Sequence, residues 1–307
     1  MIVAVTGGAG FIGSHLSEAL LASGAEVHIV DDLSSGYRAN VPPGAILHEA
    51  DIRSVRARTV LAELRPDALF HLAAQADVQR SIADPREDAS VNIEGTLSML
   101  EACRAAGTRK IVFASTSAVY GNPGKEIIAE RCPAAPISFY GMSKHAAEQY
   151  IRIYGQLHGI GYTILRYGNV YGPRQTPKGE GGVVAVFMDR LRRGEPLTVH
   201  GDGEQTRDFV YVKDIVAANL AALSHGDNDT FNVSTGAATS VNELLRLLEA
   251  CRGEPIARRH VGARAGDIRH SRLDSRRARR LLRWRPAYDA ASGLAETYRA
   301  STLPSSR

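Results

Sequence analysis

The sequence is poor in the residues that mark secreted, metal-binding or membrane proteins. Its three cysteines, Cys103, Cys132 and Cys251, stand far apart in 307 residues with no Cys-x-x-Cys pair, so neither a disulfide framework nor a cysteine zinc site is expected. The ten histidines include no His-Glu-x-x-His arrangement, and no metal is implied. No apolar run reaches the roughly 18 residues at which a membrane-spanning helix becomes a candidate. The chain opens on what reads as a strand of a folded domain and not on a signal peptide, and a cytoplasmic setting with no membrane partner is expected. Aromatics are scarce too, 6% with one tryptophan. That bears on the interval from Arg252 to Arg285, where twelve arginines face only Glu254, Asp267 and Asp274 in a chain of net charge +4. With Trp284 as its only aromatic, the interval lacks the stacking platforms of a single-strand binder, so no nucleic-acid partner is expected. Most of these arginines read as solvated, with one or two recruited for an anion.

Glycine is where the sequence becomes specific. The apolar run Ile2-Val3-Ala4-Val5-Thr6 suits a strand buried on both faces. It leads into Gly7-Gly8-Ala9-Gly10-Phe11-Ile12-Gly13 and then into a helical pattern through Leu16, Ala19 and Leu20. Small residues there let the backbone turn tightly and approach a pyrophosphate at the positive end of the following helix. A P-loop is excluded, because Ser14-His15 follow where Lys-Ser/Thr would be needed. A second apolar strand ends at Asp31, 18 residues after Gly13, where a carboxylate can accept hydrogen bonds from the adenosine ribose. The alternative for Asp31 is an acidic turn residue. A carboxylate repels a 2′-phosphate, Asp32 adds a second, and no arginine stands beside them, so the expected cofactor is NAD and not NADP.

Further on, the apolar strand Lys110-Ile-Val-Phe-Ala-Ser-Thr-Ser ends in a hydroxyl cluster, at the sheet edge where open α/β folds place their ligands. Thr116 is the candidate to pass a proton there, and Ser115 and Ser117 read as strand-end caps. Tyr140 and Lys144, four residues apart, share one helix face. A nearby ammonium favours phenolate over phenol, lowering a pKa that starts near ~10 and making a general base for neutral pH. Alone, the pair reads first as a solvated surface feature; the glycine loop and the hydroxyl cluster reverse that in favour of chemistry.

Strand-like runs near residues 2–6, 26–30, 46–49, 68–72, 110–114 and 162–166 alternate with helical patterns such as 54–64 and 88–106. This predicts an α/β protein with a doubly wound parallel Rossmann sheet in residues 1–166. Residues 167–307 are expected to form a smaller C-terminal substrate lobe, with a helix from about 183 to 193 and short strands at 197–200 and 208–212. Parts of about 206–235 are expected to return to the sheet domain.

Taken in order, Thr6 to His15, Asp31-Asp-Leu-Ser-Ser-Gly36, His71-Leu-Ala-Ala74, Ser115 to Gly121, Tyr140 to Lys144 and Arg166-Tyr-Gly-Asn169 resemble the extended short-chain dehydrogenase/reductase family. Within it the chain is most similar to the UDP-glucose 4-epimerases, from Ile2 to about Tyr298. The resemblance implies Thr116, Tyr140 and Lys144 as catalytic residues. It implies an NAD site made by Gly7, Gly10, Phe11, Ile12, Gly13, Asp31, Asp32, Ser35, Gly36, Asp51, Ile52, Leu72, Ala73, Ala74, Asn92 and Tyr167, together with Tyr140 and Lys144. Asp51 and Ile52 would meet the adenine. The substrate, a UDP-sugar, would be held by Asn169, Val183, Arg207, Arg264 and Ser271, besides Thr116 and Tyr140. Other roles stay open at this stage: Asn169 as a loop cap, Arg207 as an ion pair with Asp208, Arg264 as a surface arginine.

Members of the family that dehydrate or decarboxylate their sugar carry a carboxylate one or two positions after the threonine. Ser117 and Ala118 stand there instead, which favours plain epimerisation at C4 through a 4-keto sugar, with NAD retained. A one-way nucleotide-sugar dehydrogenase or reductase and a non-catalytic NAD-binding regulator are the alternatives. The resemblance also implies a homodimer built on two helices, through Val91, Leu97, Leu100 and Cys103 on one and Ala147, Ile151, Tyr154 and Leu157 on the other; otherwise both stripes face their own sheet. Finally, it places Ser271 against the sugar's 2-substituent, where serine would leave room for an N-acetyl group, unless His270 or Arg272 takes that place.

Overall fold

A computed structural model describes residues 1–124, 127–177, 181–263 and 268–302. Six strands in chain order, β1 (Ile2–Thr6), β2 (Glu26–Asp31), β3 (Ile46–Glu49), β4 (Ala68–His71), β5 (Lys110–Thr116) and β6 (Gly161–Tyr167), form a parallel sheet. A seventh strand, Asp229–Val233, pairs in parallel with β6. The spatial order is Asp229–Val233, β6, β5, β4, β1, β2, β3. The chain therefore winds outward one way from β1 to β3, returns, and winds the other way from β4. Such a sheet opens a crevice at the carboxyl ends of β1 and β4, where the winding reverses.

Strand alternation sorts the core. Val3, Val5, Val27, Ile29 and Phe70 point to one face, where they pack with Leu16 and Leu20 of helix α1 (Phe11–Ala22). Ala4, Val30, Leu69, Ile111 and Phe113 point to the other, against Ala57 and Leu61 of α2 (Val55–Leu64) and Leu100, Cys103, Ala147 and Ile151. Such burial contributes roughly 1.5–3 kcal/mol for each large apolar side chain. The interval 88–106, expected as one helix, is broken by a π-helical turn at Ser90–Glu94 before the helix Gly95–Ala106.

A third core, with Phe187, Leu197, Leu244, Leu248 and Leu294, belongs to the smaller lobe. Parts of the chain after residue 166 pack on the sheet. The helix Val212–Ala221 packs on α1, and Ala278, Leu282 and Trp284, far into the expected lobe, are buried in the α1-side core of the sheet. Among the described residues, no helix is long and apolar enough to cross a membrane, and no group of three or more His, Cys, Asp or Glu is placed to hold a metal ion.

Candidate active site

The glycine loop sits at the reversal of the sheet. Gly7 has φ +70°, and a Cβ on it would lie 2.8 Å from the Ala73 amide nitrogen; on Gly13 a Cβ would lie 2.1 Å from the Gly7 carbonyl oxygen. Backbone packed this closely admits only glycine. Gly10, at the N-cap of α1, supplies no side-chain cap, and the first turn carries no acidic residue. Unsatisfied amides and the positive helix end thus meet at the crevice, which suits a pyrophosphate. Phe11 is turned elsewhere: its side chain is buried in the lobe core, with Ile12 packed beside it. Their contribution to the loop is main-chain.

Asp31 ends β2 and is buried. One carboxylate oxygen accepts the Ala9 amide and the other the Leu33 amide, each at 2.9 Å. Burial raises its pKa, and these two bonds oppose the rise. Asp31 is therefore both a turn residue and a brace for the glycine loop, and each oxygen keeps a lone pair for a ribose hydroxyl. Asp32 is exposed and accepts from the Ser34 amide and hydroxyl. Ser35 is exposed, while Gly36 is buried, where a Cβ would lie 2.9 Å from an Asp31 oxygen. The Asp51 carboxylate is forked by the Arg53 guanidinium at 2.6 and 3.0 Å, and Ile52 is buried against Gly95. Leu72, Ala73 and Ala74 line the carboxyl end of β4, half-buried.

The helix Phe139–His158 begins at Ser138, whose hydroxyl accepts the Gly141 amide at 3.1 Å. A Cβ on Gly141 would lie 2.7 Å from the Ala118 carbonyl oxygen. This contact sets the start of the helix, with Tyr140, directly on the turn that follows Thr116. Tyr140 is half-buried, Lys144 is 3% exposed, and the Lys144 ammonium lies 4.1 Å from the centroid of the Phe113 ring. It is Thr116 that caps the short turn Ser117–Tyr120, accepting the Ala118 amide at 3.1 Å. Ser115, expected as a cap, instead donates from inside the protein to Glu148 at 2.6 Å.

Glu148, two turns beyond Tyr140, is fully buried. It takes a two-pronged bond from Arg166, Nε at 2.9 Å and Nη2 at 2.5 Å. Burial alone would raise its pKa, but the Arg166 bonds and the other donors around it hold it down at about 2. His71, at the end of β4, is 1% exposed, and burial, then the Lys144 charge, lowers its pKa to about 3. Neither residue was singled out from the sequence. His71 stands beside Leu72 in its motif, and Glu148 continues the four-residue spacing of Tyr140 and Lys144; those were the signals.

Two residues expected at the cofactor have side chains held elsewhere in the protein. Asn92 is 2% exposed with its side chain committed to Gln75, Asp88 and Ser143. Tyr167 is packed in the core with its hydroxyl on Asn219. Both are internal braces, because the π-helical turn and the alternation of β6 turn their side chains inward. The stripe expected at a dimer contact is divided, with Leu157 at the surface and most of its neighbours in the core. Leu100, Cys103, Ala147 and Ile151 face their own sheet, whereas Tyr150, Ile153 and Leu157 on the second helix are exposed, Leu157 by 71%.

Asn169 lies just beyond β6, its amide donating to the Asp208 carbonyl at 2.8 Å in a short parallel pairing with Phe209–Tyr211. Arg207 precedes that strand, half-buried. The Asp208 carboxylate accepts from the Thr235 amide and hydroxyl and from the Gly236 and Leu273 amides. Val183 starts the helix Val183–Arg192. Ser271 is half-buried with its amide on the Thr206 carbonyl at 3.2 Å. Arg264 lies outside the described residues. Of the basic interval, Arg252, Arg258, Arg269, Arg276 and Arg277 pair with nearby carboxylates.

A doubly wound sheet with a glycine loop at its reversal, a Tyr–Lys helix beside it and a lobe over its carboxyl edge defines a dinucleotide-dependent enzyme of the short-chain dehydrogenase/reductase class. Residues 3–234 match the model of the NAD dependent epimerase/dehydratase family, and the chain belongs to that family. It is 43% identical over 300 residues to the UDP-glucose 4-epimerase of Mycolicibacterium smegmatis, covering 95% of this chain and 96% of that one. The UDP-glucose 4-epimerase of Thermus thermophilus in complex with NAD superposes with TM-score 0.91 at 42% identity, covering 98% and 99%. The UDP-N-acetylglucosamine 4-epimerase of Methanobrevibacter ruminantium in complex with UDP-N-acetylmuramic acid gives 0.92 at 34%, covering 97% of each chain. The cofactor is NAD, and the cradle formed by Gly7, Gly13 and the uncapped end of α1 fits it.

Proposed function

We propose that this protein epimerises UDP-sugars at C4, interconverting UDP-glucose and UDP-galactose. The observation that carries this reading is the joint placement, at one sheet edge, of the glycine cradle, Thr116 and the buried Lys144 on the helix that brings Tyr140 onto the turn after Thr116. Similarity to UDP-sugar 4-epimerases over nearly the whole chain supports the substrate class.

When bound, NAD supplies reversible hydride exchange with C4, so the sugar passes through a 4-keto form and the cofactor ends each cycle as it began. Tyr140 removes the proton of the 4-hydroxyl and later returns it. Lys144, one turn further along the helix, favours the ionised phenol. Thr116 hydrogen-bonds the sugar hydroxyl and aids the transfer. Asp31 and the α1 amides hold the cofactor, and Asn169, Val183, Arg207 and Arg264 hold the uridine diphosphate, where arginine forks suit phosphate oxygens. No acid follows Thr116, so elimination lacks its base. Three free cysteines, Cys103 and Cys132 among them buried, support a reducing, cytoplasmic setting. The exposed apolar face at Tyr150, Ile153 and Leu157 supports a homodimer.

The test is conversion of UDP-galactose to UDP-glucose without net build-up of reduced nicotinamide, and its loss in Tyr140→Phe by at least about a hundredfold in kcat, the scale of a positioned general base. Accumulating reduced cofactor would make the protein a dehydrogenase. Near-normal turnover in the variant would remove Tyr140 from the chemistry.

A further inference from the structure

We infer that His71 is a positioning residue that ties the glycine-loop strand to the helix of Tyr140 and Lys144 through two runs of hydrogen bonds joined by the buried Asn92. The inference rests on the reading of that helix as the reaction centre.

The chain starts at the Ala73 amide, which donates to the Thr6 hydroxyl oxygen at 3.2 Å. Thr6 Oγ1 lies 2.7 Å from His71 Nδ1, and His71 Nε2 lies 3.0 Å from Thr96 Oγ1. Thr96 gives its hydroxyl proton to the Asn92 carbonyl at 2.6 Å. The Asn92 side-chain amide donates to Ser143 Oγ at 3.0 Å, and Ser143 donates to the Tyr140 carbonyl at 3.1 Å. Thr6, His71, Thr96, Asn92 and Ser143 are each 3% exposed or less.

The donors fix the ring's state. Thr96 has one proton and has given it to Asn92, so toward His71 it can only accept, and Nε2 must carry hydrogen. Nδ1 is then the acceptor for the Thr6 proton, which leaves Thr6 oxygen to accept from Ala73. Every group is satisfied by a neutral imidazole with Nε2–H. No aliphatic side chain offers a donor and an acceptor in this rigid relation. Packing reinforces the link: the His71 and Phe113 rings stack with centroids 5.7 Å apart, and Lys144 lies over the same Phe113. Asn92 joins the two halves from the π-helical turn Ser90–Glu94, an irregularity frequent at functional sites.

Two substitutions cut the chain on opposite sides of the ring. In His71→Asn the side-chain oxygen stands near Nδ1, keeping the acceptor for Thr6 and losing the link to Thr96. In His71→Gln the side-chain nitrogen stands near Nε2, keeping the Thr96 link and losing Thr6. Each is purified with wild type and assayed for bound NAD per protomer, kcat and KM for UDP-galactose, and melting temperature. His71→Asn is expected to keep its NAD and a KM within about twofold, while kcat falls on the order of tenfold to a hundredfold, as for a small displacement of reacting groups. His71→Gln is expected to lose NAD on gel filtration while its NAD-filled fraction turns over near the wild-type rate. Thr96→Val cuts the His71–Asn92 link without touching the ring and should reproduce the kcat loss, with Thr96→Ser restoring it; this pair decides if the His71 variants do not fold. The inference is overturned if the folded variants differ from wild type only in melting temperature, or if both lose NAD and kcat alike. A Tyr140→Phe enzyme that still turns over would instead sink the functional reading, leaving NAD retention in His71→Gln as the surviving test.

Discussion

Ser271 stands in a segment bridged to Thr206. Its amide sits on the Thr206 carbonyl, beside the half-buried Arg207. His270, a neighbour that could have taken its place, is exposed and bonded through its ring to the Thr206 hydroxyl at 3.0 Å. Two residues on, Leu273 is buried with Val119 and Tyr120 of the turn after Thr116. Residues two apart in extended chain share a side, which supports Ser271 as the residue toward the sugar. A serine leaves space for a 2-N-acetyl group, so the wild type is expected to epimerise both UDP-galactose and UDP-N-acetylgalactosamine. Ser271→Tyr should keep the first and lose the second, read as kcat/KM on each. A wild type inert toward the N-acetyl sugar, or a variant that loses both equally, would show that the gate lies elsewhere.

At the scale of elements, the helix Phe139–His158 is held at three points along its length: the Ser138 cap, the contact of Gly141 with Ala118, and Glu148 clamped to Ser115 and Arg166. Ser115 and Arg166 are register partners on β5 and β6, so one carboxylate locks the helix to two strand ends. Breaking a buried pair of this kind typically costs about 3–5 kcal/mol, because a charge is left uncompensated. Gly141 gives the sharper test. In an open helix, glycine to alanine stabilises by about 0.8–1 kcal/mol. Here the new methyl would meet a backbone carbonyl at 2.7 Å, which has no side-chain rotation to offer. Gly141→Ala should therefore lower the melting temperature and reduce kcat by about tenfold to a hundredfold as Tyr140 is lifted from the Thr116 turn. A more stable variant with full turnover would show the contact to be slack.

For the whole molecule, the outer face of that helix leaves Tyr150, Ile153 and Leu157 exposed by 39, 48 and 71%. An apolar row of this kind on a helix packed on its other side by the sheet calls for a partner surface. A second copy of the chain, meeting this face about a two-fold axis, is the simplest closed solution. The protein is expected to have the mass of a dimer by light scattering at micromolar concentration, and Leu157→Asp to shift it to monomer. A monomeric wild type would overturn the assembly. The two lobes share core residues. Phe11 of the glycine loop is buried in the lobe core, and Trp284 of the distal chain is buried under the sheet, so each lobe completes the core of the other.

Local rules made the glycine loop, the strand runs up to β6, the hydroxyl cluster at the end of β5 and the Tyr140–Lys144 helix legible in the sequence alone, since each depends on residues close to one another along the chain. NAD over NADP followed from Asp31 in the same way, a carboxylate at the end of its own strand. What the sequence could not decide were side chains whose partners are distant along the chain. His71 meets Thr6 and Thr96 across 65 and 25 residues, and Glu148 meets Ser115 and Arg166 across 33 and 18. Asn92, Tyr167 and the Leu100–Ile151 stripe carry the right residue types for ligand or partner, yet packing turned them inward. A donor, an acceptor or an apolar side chain is the same chemical group wherever it stands, and only the tertiary structure decides whether it faces a ligand, a neighbour or the core.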